Sequence, residues 1–182
     1  MLSQFSSAEG KPTLKEYFDV PRDVYPIGRL DFDSEGLLIL SNDKKLNHRL
    51  LHPSFVHVRE YWVQVDGQIT TAAMHQLLHG IDISVDGKSY RTKNCKGSIF
   101  ESVPLVPERI PPIRYRRDIP TSWIKLLLTE GKNRQVRKMT AAVGFPALRL
   151  IRYRIANCTI DGLQPGEMRI LTKAEVHHLL FR

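Results

Sequence analysis

The chain has 182 residues, of which 42% are apolar, enough for one large α/β or α+β domain or for two small lobes around a cleft. Its 27 Lys and Arg against 19 Asp and Glu give a net charge of +8, which favours a polyanionic partner, nucleic acid first. No apolar run approaches the about 20 residues of a membrane span, and residues 1–11 lack a signal-peptide pattern. Cys95 and Cys158 match no metal or redox spacing, so a reduced, cytoplasmic protein is predicted.

The positive charge is concentrated in the C-terminal half of the chain. Residues 130–154 contain a single acid, Glu130, and seven cations: Lys132, Arg134, Arg137, Lys138, Arg149, Arg152 and Arg154. A second group precedes them in a proline-containing segment and consists of Arg109, Arg114, Arg116 and Arg117. This uneven distribution favours a phosphate-binding surface over a dispersed, solubilising charge.

Each predicted element in the first half of the chain is bounded by a cap or a turn. In chain order these elements are a buried strand over 37–41, a helix from the Asn42-Asp43 cap to His52-Pro53, an alternating strand over 58–66 ended by Asp66-Gly67, a helix from Thr70 or Thr71 to Gly80, and a hairpin around Asp86-Gly87. Within the alternating strand, Tyr61, Val63 and Val65 are predicted to share one face.

The second half is predicted in the same way. Its elements are a strand and an extended basic connection within 94–120, a strand over 122–129, a loop over 130–133, a helix over 134–143 ended by Gly144, a strand over 148–154 with interleaved arginines, and a last helix opened by a Thr172–Glu175 capping box. Strands dominate and several connections are antiparallel, so the predicted class is α+β.

One segment, GRLDFDSEGLL at residues 28–38, has the pattern of a catalytic site. Asp31 lies two residues after Arg29, ahead of an acidic turn that ends on Gly36 and leads into an apolar run. An acid fixed at the mouth of a strand beside a cation is positioned for chemistry.

Other interpretations of the same acids can be weighed. A calcium loop is excluded because its twelfth position, which must be Glu, is Asn42, and no helix precedes it. An ordinary acidic turn is the simplest alternative. A glycosidase pair of Asp31 and Asp33 is a further alternative, although the basic surface favours a phosphate-bearing substrate. His48 and His52 have metal-ligand spacing but no evident third ligand, so we interpret them as surface or capping histidines and expect no metal.

The chain resembles the RNA pseudouridine synthases, in the branch that modifies ribosomal RNA. Residues 28–38 resemble the catalytic motif of that family, REYWVQVDG at 59–67 its second motif, EGKNRQVRKM at 130–139 its third, and LRLIR at 148–152 a later segment. Within the branch, the DSEG continuation, PPIR at 111–114 and IPTSW at 119–123 resemble a subgroup acting on the large ribosomal subunit.

The resemblance implies a role for individual residues. Asp31 is the carboxylate that acts near C1′ of the target uridine, as nucleophile or as base, and Tyr61 stacks on the base and assists proton removal. Arg137 is the expected ion-pair partner of Asp31, with Arg134 as the alternative. Arg29, Arg134 and Lys132 are expected to bind phosphates or the flipped nucleotide. Leu148 is expected to supply the apolar contact below the base.

The implied reaction breaks the C1′–N1 bond, rotates the uracil and rejoins it through C5, and it needs no cofactor. The implied fold is a mixed, largely antiparallel sheet with flanking helices and a central cleft. We expect residues 1–182 to be one catalytic domain of two half-lobes without an S4 RNA-binding module, acting on ribosomal RNA as a monomer. The Asn-Lys-Pro strand that usually opens the family is not in the chain, which predicts either a truncated start or a dispensable first strand.

Three rival functions are left by the sequence. A synthase acting on transfer RNA would share all of the chemistry. A non-catalytic RNA-binding or ribosome-assembly protein could use the same fold without Asp31, and a carbohydrate-active enzyme would bind no RNA. The position of the modified uridine is not encoded in any of these motifs.

Overall fold

The computed structural model describes residues 1–6, 10–52, 54–113 and 120–181. In that part of the chain the helices are α1 (Lys44–Leu51), α2 (Thr71–Leu78), α3 (Gln135–Ala142) and α4 (Lys173–Phe181), with a 3₁₀ turn at Leu14–Glu16. The strands are β1 (Tyr25–Pro26), β2 (Glu35–Gly36), β3 (Leu40–Ser41), β4 (Arg59–Asp66), β5 (Asp82–Val85), β6 (Lys88–Arg91), β7 (Lys96–Ile99), β8 (Thr121–Leu128), β9 (Ala147–Ile155) and β10 (Cys158–Thr159). None of these helices is long and apolar enough to span a membrane.

The centre of the molecule is a mixed sheet with the strand order β10-β9-β4-β8-β7. All of these neighbours are antiparallel, whereas the short β2 pairs with β9 in parallel. The register places Tyr61 of β4 opposite Arg152 of β9, and Val63 opposite Leu150. This architecture confirms the predicted α+β class with a largely antiparallel sheet.

Two apolar clusters pack around this sheet. The larger one joins β4, β8 and β9 to α2 and α3, and its most deeply buried members include Val63, Leu77, Ile124, Leu126 and Met139. The smaller one lies toward α1 and α4 and contains Ile27, Leu37, Leu50, Ile155, Cys158 and Leu180. Burial of these side chains is the main source of folding free energy.

Local sequence signals predicted most of the elements correctly. Asp43 caps α1 by accepting from two backbone N–H groups, and Thr70 caps α2. Thr172 and Glu175 exchange hydrogen bonds at the start of α4, as a capping box requires. The Asp86-Gly87 turn joins β5 and β6, and both residues adopt positive φ.

Four predicted boundaries were wrong for physical reasons. The predicted strand over 37–41 is reduced to Leu40–Ser41. The chain bends at Gly36, which has φ +105°, and the Leu37 N–H donates to the Arg152 carbonyl of β9. Helix α3 begins one residue late, since Arg134 has a left-handed backbone. Strand β9 is longer than predicted, and β4 is shifted against it by irregularities near Tyr61 and Val65.

The fourth difference concerns residues 94–120. The strand there is Lys96–Ile99, and residues 100–113 form no regular element. Arg114, Arg116, Arg117 and Ile119 lie outside the described residues, as does Pro53.

Candidate active site

A cavity of about 520 Å³ lies between the two apolar clusters. Its walls come from the loop before β2, the end of α1, the start of β4, the loop before α3, and β9. The lining residues that matter below are Arg29, Asp31, Leu51, His52, Phe55, Arg59, Tyr61, Leu128, Lys132, Arg134, Leu150 and Arg152. A cavity of this size is in the range of small-ligand sites.

The Asp31 loop is held in shape by hydrogen bonds at its start. The buried hydroxyl of Ser3 donates to the Leu30 carbonyl and accepts from the Leu30 N–H, at 2.9 and 3.0 Å. Ser34 donates its backbone N–H to the Asp31 carbonyl at 2.9 Å, which closes a tight turn. These bonds fix the backbone on both sides of Asp31, so the carboxylate has a defined position on the cavity wall.

Arg152 closes the same loop from the sheet, a function that the sequence did not reveal. Its Nε donates to the Leu37 carbonyl at 2.8 Å, its Nη1 donates to the Arg29 carbonyl at 3.4 Å, and its own carbonyl accepts from Leu37. The residue is only 6% exposed, and burial lowers the pKa of the guanidinium, an effect opposed by the neighbouring Tyr61. Among the described residues, the buried Nη2 has no hydrogen-bond partner. In the sequence, Arg152 was only one of three arginines interleaved with apolar residues in a predicted strand.

The arginines of the third motif are divided between two acids. Arg134 forms a bidentate pair with Asp33 at 2.9 and 3.0 Å and also lies 3.7 Å from the Asp31 carboxylate. Arg137 donates to the Asp33 backbone carbonyl at 2.7 Å, lies 3.4 Å from the Asp33 carboxylate and donates to the Ala147 carbonyl. The structure therefore places Arg134, and not the expected Arg137, within ion-pair distance of Asp31.

The backbone conformation explains why Arg134, rather than Arg137, lies within ion-pair distance of Asp31. Arg134 is the N-terminal cap of α3 and adopts φ +51°, which directs it away from the path that a regular helix would give. Arg137 lies a turn later, where its guanidinium is largely enclosed by Asp33 and Ala147, with 11% of the side chain exposed. Burial lowers the pKa of Arg137, whereas the Arg134 hydrogen bond lowers the pKa of Asp33.

Asp31 and Asp33 consequently have different surroundings. Asp33 is neutralised by two guanidinium groups, whereas Asp31 has one longer contact and lines the cavity, which Asp33 does not. Asp31 is thus the acid of this pair that a ligand in the cavity can reach.

Tyr61 and the aliphatic side chains form the inner wall. Tyr61 lines the cavity directly opposite Arg152 in the sheet register. Leu128 and Leu150 also line it, whereas the expected Leu148 does not. Leu148 falls between Ala147, which pairs with Val65, and Arg149, which pairs with Gln64, so it lies in the irregularity of β9 and is not aligned with Leu150. Of the leucines in the LRLIR segment, Leu150 therefore lines the cavity and Leu148 does not.

Arg29 and Lys132, both expected to bind substrate, lie at the exposed edge of the cavity. The Lys132 ammonium is 4.8 Å from the ring centroid of Tyr90. Glu130 supports this edge by accepting hydrogen bonds from Tyr90, from the Lys93 N–H and from the Gln135 side chain. The hydrogen bond to Glu130 raises the pKa of Tyr90 to about 12.

The third acidic residue of the motif, Glu35, holds neighbouring segments together. It accepts two hydrogen bonds from Arg149 at 2.8 and 2.9 Å and lies 3.4 Å from Arg109. Arg149 also donates to the Pro107 carbonyl, so this network fixes residues 107–109 against β2. Within the described ranges, no three His, Cys, Asp or Glu side chains lie close enough together to hold a metal ion, and His48 and His52 are exposed.

Comparison with known proteins places this geometry in a family. A family model described as RNA pseudouridylate synthase matches residues 6–142. The chain belongs to the RNA pseudouridylate synthase family. The resemblance seen in the sequence is therefore confirmed.

Relatives of this synthase chain share most of its length. It is 44% identical over 168 residues to ribosomal large subunit pseudouridine synthase E of Vibrio parahaemolyticus, covering 92% of this chain and 68% of the relative. It is 45% identical over 172 residues to the protein of the same name from Xanthomonas campestris, covering 93% and 89%. A crystal structure of a pseudouridylate synthase matches with a TM-score of 0.74 and 27% identity, over 93% of this chain and 66% of that one. The predicted fold is confirmed by this match.

Proposed function

We propose that this protein isomerises one uridine of large-subunit ribosomal RNA to pseudouridine. The observation that carries the proposal is the Asp31 carboxylate, fixed on the wall of a cavity that Tyr61 and Arg134 also line. The relatives named for the large ribosomal subunit favour this substrate over transfer RNA, and their membership of a synthase family favours catalysis over RNA binding alone.

The chemistry assigns a task to each group. The C1′–N1 bond of the target uridine breaks, a C1′–C5 bond forms, C5 loses its proton and N1 gains one. Asp31, with the Arg134 guanidinium 3.7 Å away, acts at C1′ or abstracts a proton. Tyr61 stacks on the flipped uracil and assists removal of the C5 proton, while Leu150 supplies the apolar contact.

The remaining cations position the substrate and the loop. Arg29, Lys132 and Arg134 at the cavity edge bind phosphates or the flipped nucleotide. Arg137 keeps Asp33 and its backbone in place, so its contribution to catalysis passes through the shape of the Asp31 loop. We further propose that residues 1–182 act as one catalytic domain with two half-lobes, a division supported by the two apolar clusters, and that the protein works as a monomer in the cytoplasm.

The test is tritium release from large-subunit ribosomal RNA labelled with 5-³H-uridine, because exchange at C5 is obligatory when uracil rejoins through that carbon. Wild type is expected to release tritium and Asp31→Asn to release none at equal folding, judged by circular dichroism. Arg134→Gln and Arg137→Gln are expected to lower the rate. Full turnover by Asp31→Asn would contradict the assigned residue, and no release by wild type, from naked RNA or ribosomal particles, would contradict the function.

A further inference from the structure

One face of α1 and the residues just after it form an exposed rim on one side of the candidate active site. The rim consists of Lys44, His48, Leu51, His52 and Phe55, all of them exposed. Leu51, His52 and Phe55 line the same cavity as Asp31 and Tyr61. A Cβ placed on Gly28 would lie 3.3 Å from the Leu51 side chain, so the rim contacts the loop that carries Asp31.

Three rings of the rim form a cluster. The His48 and His52 rings have centroids 4.9 Å apart, and Phe55 meets each of them edge-on, at 5.8 and 6.1 Å. Phe55 is 41% exposed and Leu51 is 46% exposed, values too high for side chains that serve only to fill a core. The cluster therefore presents an aromatic and apolar surface to solvent at the mouth of the cavity.

The helix that carries His48 and is capped by His52 has only positive charges within its bounds. Helix α1 contains Lys44, Lys45 and Arg49 and no acid, and its cap, Asp43, uses its carboxylate on the N–H groups of Lys45 and Leu46. Arg49 lies 3.6 Å over the Phe181 ring and so packs against α4, away from the rim. Lys44, four residues before His48, is the cation on the side of the ring cluster.

We propose that this rim binds an unpaired nucleotide of the RNA that adjoins the target uridine. The base stacks on Phe55 and the histidine rings, and Lys44 contacts a phosphate. Rings beside cations on a continuous surface are the chemistry that single-stranded RNA recognises, since every base has a π-face and every nucleotide a charge. The inference rests on the proposed function, because the nucleotide at the rim belongs to the same RNA whose target uridine occupies the adjoining cavity.

The chain contains a matched control for this cluster. His75 on α2 and His79 at its C-terminal cap are also four residues apart, stacked at 3.9 Å and exposed. Helix α2 carries no Lys or Arg, and neither histidine lines the cavity. A histidine pair with the same spacing thus lies away from the RNA site.

The first experiment compares two probes by fluorescence anisotropy at fixed salt: an oligouridylate of about 12 nucleotides, and an abasic ribose-phosphate chain of the same length and charge. Wild type is expected to prefer the oligouridylate. Phe55→Ala should weaken that binding about tenfold and leave abasic binding unchanged, because a stacked base is lost. Phe55→Trp should retain the preference, and Phe55→Leu should lose it while keeping apolar bulk. Lys44→Gln should weaken both probes by the same factor.

Several results would overturn the inference. These are equal binding of both probes by wild type, an equal effect of Phe55→Ala on both probes, or a matching loss in the His75→Ala/His79→Ala control. In the tritium assay, Phe55→Ala should raise KM and leave kcat unchanged at saturating RNA. If wild type released no tritium, the proposed function would fail, but the probe comparison would still show whether the rim binds an unpaired base.

Discussion

At the scale of single residues, Arg152 links the sheet to the loop that carries Asp31. It bonds the carbonyls of Arg29 and Leu37, which lie on either side of Asp31, from a position that is almost fully buried. A planar guanidinium can make such divergent bonds, whereas a lysine ammonium at the end of a flexible stem cannot bridge the same two carbonyls. Arg152 is therefore a positioning residue that acts through the Asp31 loop.

Replacement of Arg152 by Lys is expected to leave one of these carbonyls unpaired and the loop looser. The free energy of unfolding should fall by about 1–3 kcal/mol, the cost of an unsatisfied buried group. Tritium release at saturating RNA should fall about 10–100-fold with little change in KM, because a small misplacement of a catalytic group is costly. Arg154→Lys, in the same strand but paired with Glu60, is the control and should turn over normally. Wild-type stability and kcat in Arg152→Lys would contradict this role.

At the scale of elements, the position of Asp31 depends on the parallel contact of β2 with β9. Glu35 pairs with Ile151 and Gly36 with Arg152. A Cβ on Gly36 would lie 2.3 Å from the Arg152 carbonyl oxygen and 2.7 Å from its nitrogen, at a φ of +105°. Only glycine fits this combination of close approach and backbone conformation.

Gly36→Ala is expected to separate these strands, whereas Gly144→Ala isolates the cost of the conformation alone. Gly144 has φ +88°, and a Cβ added there would meet no atom within 4 Å, so its substitution should cost only about 1–2 kcal/mol. Gly36→Ala should cost clearly more, about 3 kcal/mol or above, and should abolish tritium release. Urea unfolding of both variants measures the difference. Equal losses would mean that the β2–β9 contact is not needed.

The same contact shows what the sequence could predict. Signals that lie close together in the sequence, namely caps, turns and periodicity, predict helices α1, α2 and α4, the β5–β6 hairpin and strand β8. Three other features did not follow from local signals: the end of the strand at Gly36, the left-handed backbone of Arg134 and the irregularity at Leu148. They depend on partners more than a hundred residues away or on local backbone conformations that many sequences allow. For that reason Asp31 and Tyr61 could be placed at the cavity by motif, whereas the 3.7 Å contact of Arg134 with Asp31 and the position of Leu148 outside the cavity lining could not be predicted from the sequence.

At the scale of the whole molecule, part of the positive charge that gives the protein its net charge of +8 is collected at the cavity. Arg29, Arg59, Lys93, Lys132 and Arg134 all line the cavity, although they come from four segments of the chain. The fold thus gathers cations that the sequence disperses. A net positive field at a cleft attracts a polyanion and orients it before contact.

Binding of oligouridylate should therefore weaken steeply with salt, and the steepness should report on individual cavity cations. Each phosphate neutralised on a single strand contributes about 0.7 to the slope of log Kd against log salt. Lys132 is held at the cavity edge over the Tyr90 ring, so Lys132→Gln should lower the slope by about that amount. Lys88→Gln, at the start of β6 and outside the cavity lining, should leave the slope unchanged. An equal effect of both substitutions would mean that the net charge of the protein, rather than the cavity, attracts the RNA.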